Sequence, residues 1–571
     1  MQTVVDLIKR SFSLHGSRTA IRIYDNLWTY DELRRLSNSI STFLLESRMK
    51  RGDRVIVSMN KSIYLYAAII GIMQAGGIYV PLDTRTPSIR LAKILDDIDP
   101  FCVFIDRNSL RNYQECEKLL SQRPRALYLD DGEYDGCKKI SFTEESKKAT
   151  WRFPQLSSED LALILYTSGS TGVPKGAMIT HGNFYNIINF TIEAFDYASQ
   201  EVASALNANA FDMSLTDIFP ILCSGGMMGV YPEEVMFPRD ILDLTYKYGI
   251  TKMALVPSTL SALVNSGLAR PELLRGLKDI HMGGEPIPSR TLMQIMDLLP
   301  QARISNCYGP TETILYVSYH IFNKPFNPEV NVFPIGFPIA NNKFVLDSTG
   351  FSDPEKGELI IVGPQVGAGY WRDPARTKIF FGINENGEKY YRTGDVASFD
   401  PSVGYFVHGR KDHQVKFRGY RIGLGEIENV LSLLPFIKEN VVIPVYGKDR
   451  IEELRLVYSG DGDRDKEIRK HLKKHLPNYM IPKSMIRIEN LPKNQNNKID
   501  RALVEKLYGG KGRIVKNTLP LRKSGEGFRK SPGRRLYWEH WFGGHDEKRD
   551  NVTAFEKSFK DCFKRFLFNT K

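Results

Sequence analysis

Short apolar runs and helical patterns alternate along residues 1–310 of the chain. Between Arg54 and Asp83, an apolar run, a helical pattern and a second apolar run follow one another, which predicts a βαβ unit of a parallel sheet. Further apolar runs, each typical of a buried strand, occur at 101–105, 126–130, 161–165, 202–208, 227–231, 252–256 and 302–308. We therefore predict an α/β fold with doubly wound, mostly parallel sheets, which bind ligands at the carboxyl ends of their strands.

The pattern changes in the second half of the chain. Short alternating segments separated by turns occupy residues 333–407 and predict a distorted β-barrel packed on the sheets. The polar stretch around Asp412 is unsuited to a core, and a small α+β pattern follows it. We predict a large N-terminal domain over 1–411, a small C-terminal domain over 412–508, and a basic tail over 509–571 that is poorly ordered.

Charge and composition indicate an ordinary globular protein. The formal net charge of +12 is concentrated in residues 509–571, which carry roughly +9 of it. The phenylalanines of this tail (Phe555, Phe559, Phe563 and Phe566) share one helical face, which disfavours nucleic-acid binding. The six cysteines form no CxxC pair, which argues against a zinc site or a disulfide framework. Without a membrane span or signal peptide in the pattern, we expect a cytoplasmic monomer with no membrane partner.

A loop rich in glycine and hydroxyl groups follows the strand at 161–165. It contains Thr167, Ser168, Gly169, Ser170, Thr171, Gly172 and Lys175. Glycines let backbone N–H groups point at one centre, hydroxyls add donors and the lysine adds a charge, so the loop is suited to hold phosphate. Its spacing is neither that of a Walker loop nor that of GxGxxG. A Ser/Gly-rich linker would explain the glycines and serines, but it would not need the Pro-Lys-Gly sequence at the end of the loop.

A second polar turn, NCYGPTET, follows the strand at 302–308. Its Gly-Pro pair predicts a sharp turn that presents Tyr308, Thr311 and Glu312 at the strand ends. An aromatic ring can stack on a base, the amide of Asn306 can pair with its edge, and a carboxylate beside a hydroxyl can hold magnesium between phosphates. A purely structural turn between two strands is the alternative.

The two motifs resemble the signatures of the adenylate-forming superfamily, which includes acyl-CoA synthetases, luciferases and the amino-acid adenylation domains of nonribosomal peptide synthesis. The resemblance covers residues 7–507, with the motifs in the family's order. It implies ATP and Mg²⁺ as cofactors, with the phosphate-loop residues and Gly284 binding ATP. It further implies that Tyr308 and Asn306 take adenine, while Thr311 and Glu312 serve the phosphate and the metal.

The resemblance also assigns roles to residues in the second half of the chain. Asp395 would bind the ribose hydroxyls, Arg410 would approach the ribose and phosphate, Asp412 would be the hinge of a mobile small domain, and Gly419 would leave room for a pantetheine arm. Lys498 is the implied catalytic lysine, which would neutralise charge between the attacking carboxylate and the α-phosphate. Rotation of the small domain would then exchange this lysine for the Gly419 loop.

Two positions depart from the family's pattern. Asn497 and Gly423 stand where the family usually has glycine and glutamate. Asparagine tolerates left-handed backbone geometry, so the turn before Lys498 can survive. Gly423 removes a charge from the loop that faces the carrier.

The predicted substrate pocket is centred on Asp212. This residue matches the aspartate with which amino-acid-activating members bind the α-ammonium group, and an enzyme for plain acids would have no cation to pair there. A helix N-cap is the structural alternative. By the same resemblance, a partly polar set of side chains completes the pocket: Met213, Thr216, Ser258, His281, Gly283, Cys307, Leu315 and Tyr316.

These assignments predict an ATP-dependent, AMP-forming ligase for an amino acid. It would form an aminoacyl adenylate and pyrophosphate, and then pass the aminoacyl group to the phosphopantetheine thiol of a carrier protein acting in trans. Asp546 stands where the serine of a carrier would be, so the tail is not read as that carrier. A D-alanine carrier protein ligase, an acyl-CoA ligase-like enzyme and a nucleotide-binding scaffold without catalysis are the alternatives.

Overall fold

The computed structural model describes residues 3–120, 124–128, 138–139, 153–167, 174–235, 237–323, 332–411, 414–447, 450–493 and 499–510. All of them lie in the compact unit Met1–Val515, and a second unit, Lys516–Lys571, lies entirely outside these ranges. Asp412, Lys498 and the predicted amphipathic helix of the tail are therefore outside the described residues. So are five positions of the phosphate loop, 168–172.

The helices begin and end where local side chains satisfy their terminal backbone groups. Thr29 and Thr180, for example, each form a capping box at the start of a helix, and Gly249 ends another in the left-handed conformation. No helix of the described ranges is long and apolar enough to cross a membrane. The helices are α1 Val4–His15, α2 Tyr30–Glu46, α3 Ile63–Gln74, α4 Ser88–Ile98, α5 Arg107–Glu117, α6 His181–Ala194, α7 Ser214–Cys223, α8 Pro238–Tyr248, α9 Pro257–Asn265, α10 Pro271–Leu274, α11 Ser289–Leu298, α12 Pro374–Phe380, α13 Leu424–Leu431, α14 Asp465–His475 and α15 Arg501–Tyr508.

The strands follow the predicted apolar runs. They are β1 Thr19–Ile23, β2 Asn26–Thr29, β3 Arg54–Ser58, β4 Ile78–Pro81, β5 Cys102–Ile105, β6 Arg125–Tyr128, β7 Lys138–Lys139, β8 Leu161–Thr167, β9 Lys175–Thr180, β10 Val202–Ala205, β11 Met227–Val230, β12 Lys252–Leu255, β13 Asp279–Gly283, β14 Arg303–Tyr308, β15 Ser318–Ile321, β16 Pro334–Pro338, β17 Lys343–Asp347, β18 Lys356–Val362, β19 Gly369–Tyr370, β20 Phe381–Ile383, β21 Lys389–Asp400, β22 Gly404–Arg410, β23 Gln414–Phe417, β24 Tyr420–Gly423, β25 Ile437–Tyr446, β26 Ile451–Gly460 and β27 Ser484–Arg487.

Two large sheets contain most of the described strands. The first has the order β19-β9-β8-β4-β3-β5-β6-β7, and β3, α3 and β4 form the predicted parallel βαβ unit. The second contains the parallel strands β1-β11-β10-β12-β13-β14. Helix α3 is apolar all round and almost fully buried, and it belongs to a core cluster that also contains residues of both sheets. The prediction of doubly wound, mostly parallel sheets is confirmed.

The β-rich segment continues the second sheet. Strand β15 pairs antiparallel with β14, β16 pairs antiparallel with β15, and β22, β21, β18 and β17 follow in that order. Their inner side chains enclose a separate cluster that includes Tyr308, Phe344 and Tyr391. The strands of the predicted barrel region thus extend from the edge where the NCYGPTET turn begins.

The last part of the described chain has its own core. Strands β25, β26 and β27 form a three-stranded sheet, and β23 and β24 form a hairpin. Helices α13 and α14 pack in one cluster and α15 in another, and both clusters consist of residues from 415–508. This composition agrees with a small α+β domain; its exact boundary at residue 412 stays a prediction.

Candidate active site

The carboxyl ends of the parallel strands β12, β13 and β14 open into one cavity that is continuous with solvent. In the register of these strands, His281 lies between Ala254 and Ser305, and Gly283 lies beside Cys307. The cavity brings together thirteen of the predicted site residues: Asp212, Met213, Thr216, His281, Gly283, Gly284, Cys307, Thr311, Leu315, Tyr316, Asp395, Arg410 and Gly419. These residues therefore lie together at the carboxyl ends of the strands, where sheets of this kind bind ligands, and their individual roles stay predictions.

Asp395 and Arg410 form one corner of this cavity. They are register partners on β21 and β22, and Arg410 Nη1 donates to Asp395 Oδ1 at 2.6 Å. The hydroxyl of Tyr308 donates to Asp395 Oδ2 at 2.5 Å. Burial and the charge of Asp395 together hold the pKa of Tyr308 well above its ordinary value. Both oxygens of Asp395, the predicted ribose-binding carboxylate, thus already accept a hydrogen bond. The hydroxyl groups of a bound ribose would add to these donors or displace them.

Asn306 is arranged differently from the expectation. Its amide donates to the backbone carbonyl of Pro334 at 2.8 Å, and it is not among the residues that line the cavity. Ser258 does not line the cavity either, and its backbone N–H donates to Glu285. The roles assigned to these two residues stay predictions.

The carboxylate of Glu312 is fully buried within a cluster of donors. Lys175 Nζ lies 2.7 Å from Glu312 Oε1, and the hydroxyl of Tyr370 donates to the same oxygen at 2.8 Å. Arg421 Nη1 reaches both oxygens, at 3.2 and 3.0 Å. Burial alone would raise the pKa of Glu312, but the charges of Arg421 and Lys175 hold it well below its ordinary value.

Lys175 is the described end of the predicted phosphate loop. It faces Thr167 as a register partner across β8 and β9. Burial lowers the pKa of Lys175 to about 8, and the neighbouring Glu312 partly offsets this effect. The hydroxyl of Thr167 is buried without a hydrogen-bond partner among the described residues. Ser168, Gly169, Ser170, Thr171 and Gly172 lie outside the described ranges, so their predicted contacts with phosphate stay open.

A magnesium ion at Glu312 would need a different arrangement of this cluster. Oxygen Oε1 accepts hydrogen bonds from Lys175, Tyr370 and Arg421, and Oε2 accepts one from Arg421. Within the described ranges, no group of three or more His, Cys, Asp or Glu side chains could hold a metal ion. The described arrangement therefore does not fit a metal at Glu312, and its role as a ligand stays a prediction.

Asp212 occupies the part of the cavity where the amino acid is predicted to bind. Its side chain is partly buried, and the hydroxyl of Thr311 donates to its Oδ2 at 2.7 Å. Burial raises the pKa of Asp212 to about 6. Helix α7 begins at Ser214 after Met213, and no side chain caps it. The alternative interpretation of Asp212 as a helix N-cap is therefore wrong.

The hairpin of β23 and β24 reaches the cavity at Gly419. This glycine has a φ of +79°, and a Cβ there would lie 2.7 Å from Val256 Cγ1, so a larger residue would be strained and crowded. Its backbone N–H donates to Glu285 Oε1 at 2.6 Å, and Glu285 Oε2 accepts from the backbone of Ser258 at 2.9 Å. The loop between β23 and β24, to which the resemblance assigns the carrier-facing role, therefore lies at the site.

Sequence reasoning missed four side chains of this region: Lys416, Arg421, Tyr370 and Glu285. Lys416 and Arg421 line the cavity and are directly opposite each other on β23 and β24. Like charges in such a position are unfavourable unless an anion lies nearby. Two cations flanking the Arg-Gly-Tyr turn would have been a usable signal. Tyr370 and Glu285 gave no signal because their partners are remote in sequence.

Comparison with known proteins identifies the family. The family model for AMP-binding enzymes matches residues 8–371, and that for the AMP-binding enzyme C-terminal domain matches residues 426–498. An L-proline–[L-prolyl-carrier protein] ligase of Streptomyces coelicolor is 31% identical over 519 residues, which are 87% of this chain and 95% of the relative. A dimodular nonribosomal peptide synthase of Bacillus subtilis is 30% identical over 509 residues, 87% of this chain, but the chain spans only 20% of its length.

A solved structure supports the same fold. The Vibrio cholerae adenylation domain AlmE, in complex with glycyl-adenosine-5'-phosphate, has a TM-score of 0.77 and 23% sequence identity. The match covers 88% of this chain and 97% of that chain. Because the first family model covers more than half of the residues, the chain belongs to the AMP-binding enzymes, ATP-dependent and AMP-forming ligases of the adenylate-forming superfamily.

Proposed function

We propose that this enzyme activates an amino acid with ATP and transfers the aminoacyl group to the phosphopantetheine thiol of a carrier protein. The observation that carries the proposal is the environment of Asp212. Its carboxylate lies in the cavity with a hydroxyl donor from Thr311 and no ion-pair partner among the described residues. A partly buried carboxylate of this kind is costly unless a cation pairs with it, and the α-ammonium group of an amino acid is such a cation.

Relatives support both half-reactions. The Streptomyces relative is named as a ligase of L-proline and a prolyl-carrier protein, and AlmE binds glycyl-adenosine-5'-phosphate. The Bacillus relative is named as a nonribosomal peptide synthase. These names favour an amino acid as substrate and a carrier as acceptor.

In the first half-reaction, a carboxylate oxygen of the amino acid attacks the α-phosphorus of ATP. The new O–P bond forms as the bond to the β-phosphate oxygen breaks, and pyrophosphate leaves. Asp212 would orient the ammonium group, and Asp395 with Arg410 would hold the ribose and the phosphate. Magnesium would supply charge neutralisation on the phosphates when bound, and Lys498 is proposed to do the same at the reacting oxygens.

In the second half-reaction, the thiol sulfur attacks the carbonyl carbon of the adenylate, the thiol loses its proton, and AMP leaves as the bond between the carbonyl carbon and the phosphate oxygen breaks. The described arrangement suits this step because the loop that carries Gly419 lies at the cavity, where the absence of a side chain lets its backbone lie close against Val256. Arg421 pairs with Glu312 in the same arrangement. We propose that the first half-reaction uses a different orientation of the small domain, in which Arg421 withdraws from Glu312.

The test is amino-acid-dependent release of pyrophosphate from ATP. The panel contains the proteinogenic amino acids, D-alanine and several carboxylic acids that lack an amine. We expect a strong signal with one or a few amino acids and none with the acids. A signal with D-alanine alone would identify a D-alanine carrier protein ligase.

Two outcomes would contradict the proposal. Turnover of an acid without an amine in the presence of free coenzyme A would indicate an acyl-CoA ligase. Binding of ATP without pyrophosphate release for any compound of the panel would indicate a scaffold without catalysis. A carrier protein bearing phosphopantetheine then tests the second half-reaction by its aminoacyl thioester.

A further inference from the structure

His281 lines the substrate cavity and carries a ring nitrogen without a hydrogen-bond partner among the described residues. The residue is 4% exposed and lines the cavity from β13. Its Nδ1 lies 2.9 Å from the hydroxyl of Ser305, and its ring packs on that of Phe195 with 4.2 Å between the centroids. Its Nε2, on the other side of the ring, is buried and has no hydrogen-bond partner in the part of the chain that the structure describes. Buried polar atoms normally have a partner, so a ligand is expected to supply one here.

The imidazole of His281 is neutral at physiological pH. Burial lowers its pKa to about 4, although the carboxylate of Asp279 opposes this effect. A neutral ring has one N–H and one acceptor nitrogen, and the hydroxyl of Ser305 can either donate to Nδ1 or accept from it. Nε2 can therefore act as donor or acceptor. A hydroxyl or a carboxamide can meet it in both cases, whereas an ammonium group only donates and a carboxylate only accepts.

The neighbouring side chains argue against a cationic substrate side chain. Asp212 is assigned to the α-ammonium group, and Asp395 is already paired with Arg410, so a cationic side chain would find no other carboxylate among the described lining residues. Thr216 adds a second hydroxyl to the same cavity. The remaining wall near His281 is small or weakly polar, since it includes Ala254 and Cys307.

We propose, on the basis of the function proposed above, that the activated amino acid has an uncharged side chain bearing a hydroxyl or carboxamide group, which bonds to Nε2 of His281. An aliphatic side chain of the same size would leave this nitrogen buried and unpaired. His281 thus determines specificity by penalising the apolar isostere.

The test compares amino acids in nearly isosteric pairs by ATP–pyrophosphate exchange. Suitable pairs are threonine with valine, serine with 2-aminobutyrate, and asparagine with leucine. For the best pair we expect the polar member to have a kcat/KM about 10- to 100-fold higher, as is typical when a site is built to bond a polar group. This measurement on the unmodified enzyme does not depend on whether a variant folds.

Variants then locate the discriminating group. We expect His281→Leu to reduce the polar-to-apolar ratio at least about 10-fold with little change in the KM for ATP, and His281→Gln, which keeps a hydrogen-bonding group, to retain part of the preference. Thr216→Val is the matched variant in the same cavity. If Thr216→Val lowered the polar-to-apolar ratio of kcat/KM and His281→Leu did not, the role of His281 would be overturned.

The outcomes separate this inference from the proposed function. Exchange with aliphatic members only, or an equal rate for both members of every pair, would overturn the inference and leave amino-acid activation standing. Absence of exchange with every amino acid would overturn the proposed function, and the inference with it.

Discussion

Asp212 is a carboxylate whose ionisation should control substrate binding. Its burial raises its pKa to about 6, because the cavity disfavours the charged form before a cation arrives. The neutral acid cannot pair with an ammonium group. Amino-acid recognition should therefore be strong above this pKa and weaken as the pH falls through it.

We expect kcat/KM for the amino acid to fall about 10-fold per pH unit below roughly pH 6, since only the ionised fraction binds. Pyrophosphate exchange between about pH 5 and pH 8 at saturating ATP measures the profile. Asp212→Asn should lower kcat/KM at neutral pH by about 100-fold or more, because the cation loses its counter-charge. The same variant should no longer show the fall in kcat/KM below roughly pH 6.

The exposed Asp463 provides the control for this experiment. Asp463→Asn should leave both the rate and the pH profile unchanged. If the Asp212→Asn enzyme kept the wild-type fall in kcat/KM near pH 6, the ionisation of another group would be its cause.

Individual site residues were predictable to different degrees. Asp212, Thr311 and Asp395 stand in recognisable motifs, and the structure brings them to one cavity. The side chain of Asn306 also stands in a motif but bonds to Pro334, because a sequence does not show which way a side chain turns. Motifs therefore predicted the positions of these residues better than their contacts.

The turn after β14 is the element that places the catalytic motif. Gly309 begins it, and a Cβ at this position would lie 2.3 Å from the carbonyl oxygen of Leu315 and 2.6 Å from the Cα of Tyr316. Both contacts are with backbone atoms, so neither neighbour can move away by changing a rotamer. The close approach lets Thr311 and Glu312 follow directly behind the strand end.

We expect Gly309→Ala to lower the free energy of unfolding by about 1–3 kcal/mol, because the turn must open to admit the methyl group. Urea unfolding measures this change. The same variant should lose most of its pyrophosphate exchange, since the displaced turn carries Thr311 and Glu312.

Gly510→Ala is the matched control, because nothing lies within 4 Å of a Cβ at that glycine. It should match the wild type in both measurements. Wild-type stability and exchange in Gly309→Ala would show that the backbone adjusts without cost, and that the turn does not depend on this glycine.

Most strands and helices were predictable, whereas their long-range pairing was not. The apolar runs at 252–256 and 302–308 became β12 and β14, because a strand buried on both faces is apolar throughout. The pairing of β19 with β9 joins residues nearly two hundred positions apart, and no local pattern encodes it. The contact of Tyr370 with Lys175 depends on that pairing, so sequence reasoning could not find it.

At the scale of the whole molecule, Glu285 joins the two predicted domains. One of its oxygens accepts from the backbone of Ser258 in the large domain, and the other accepts from the backbone of Gly419 in the small domain. Charge-assisted bonds of this kind are about twice as strong as neutral ones. A second link is the buried ion pair of Arg90 with Glu426.

We expect Glu285→Gln to slow aminoacyl transfer to the carrier about 10-fold, because glutamine loses the charge and its amide offers only one acceptor oxygen. Pyrophosphate exchange should change less than about 3-fold, because that half-reaction is proposed to use another orientation of the small domain. Thioester formation on a loaded carrier and exchange are measured on the same preparation.

Glu272→Gln, at an exposed site on α10, is the control and should alter neither rate. Equal slowing of both half-reactions in Glu285→Gln would contradict a role confined to one orientation. It would indicate instead that this carboxylate supports the site as a whole.

The net charge of the groups around the cavity affects how strongly the site holds each ligand. The cations are Lys175, Arg410, Lys416 and Arg421, and the carboxylates are Asp212, Glu312 and Asp395. With all seven ionised, one positive charge remains, and a zwitterionic amino acid leaves it unchanged. An aminoacyl adenylate adds one ammonium and one acyl-phosphate anion, so it is also a zwitterion that leaves the balance unchanged. Its retention between the two half-reactions should therefore depend only weakly on ionic strength, in contrast to the capture of the polyanion ATP.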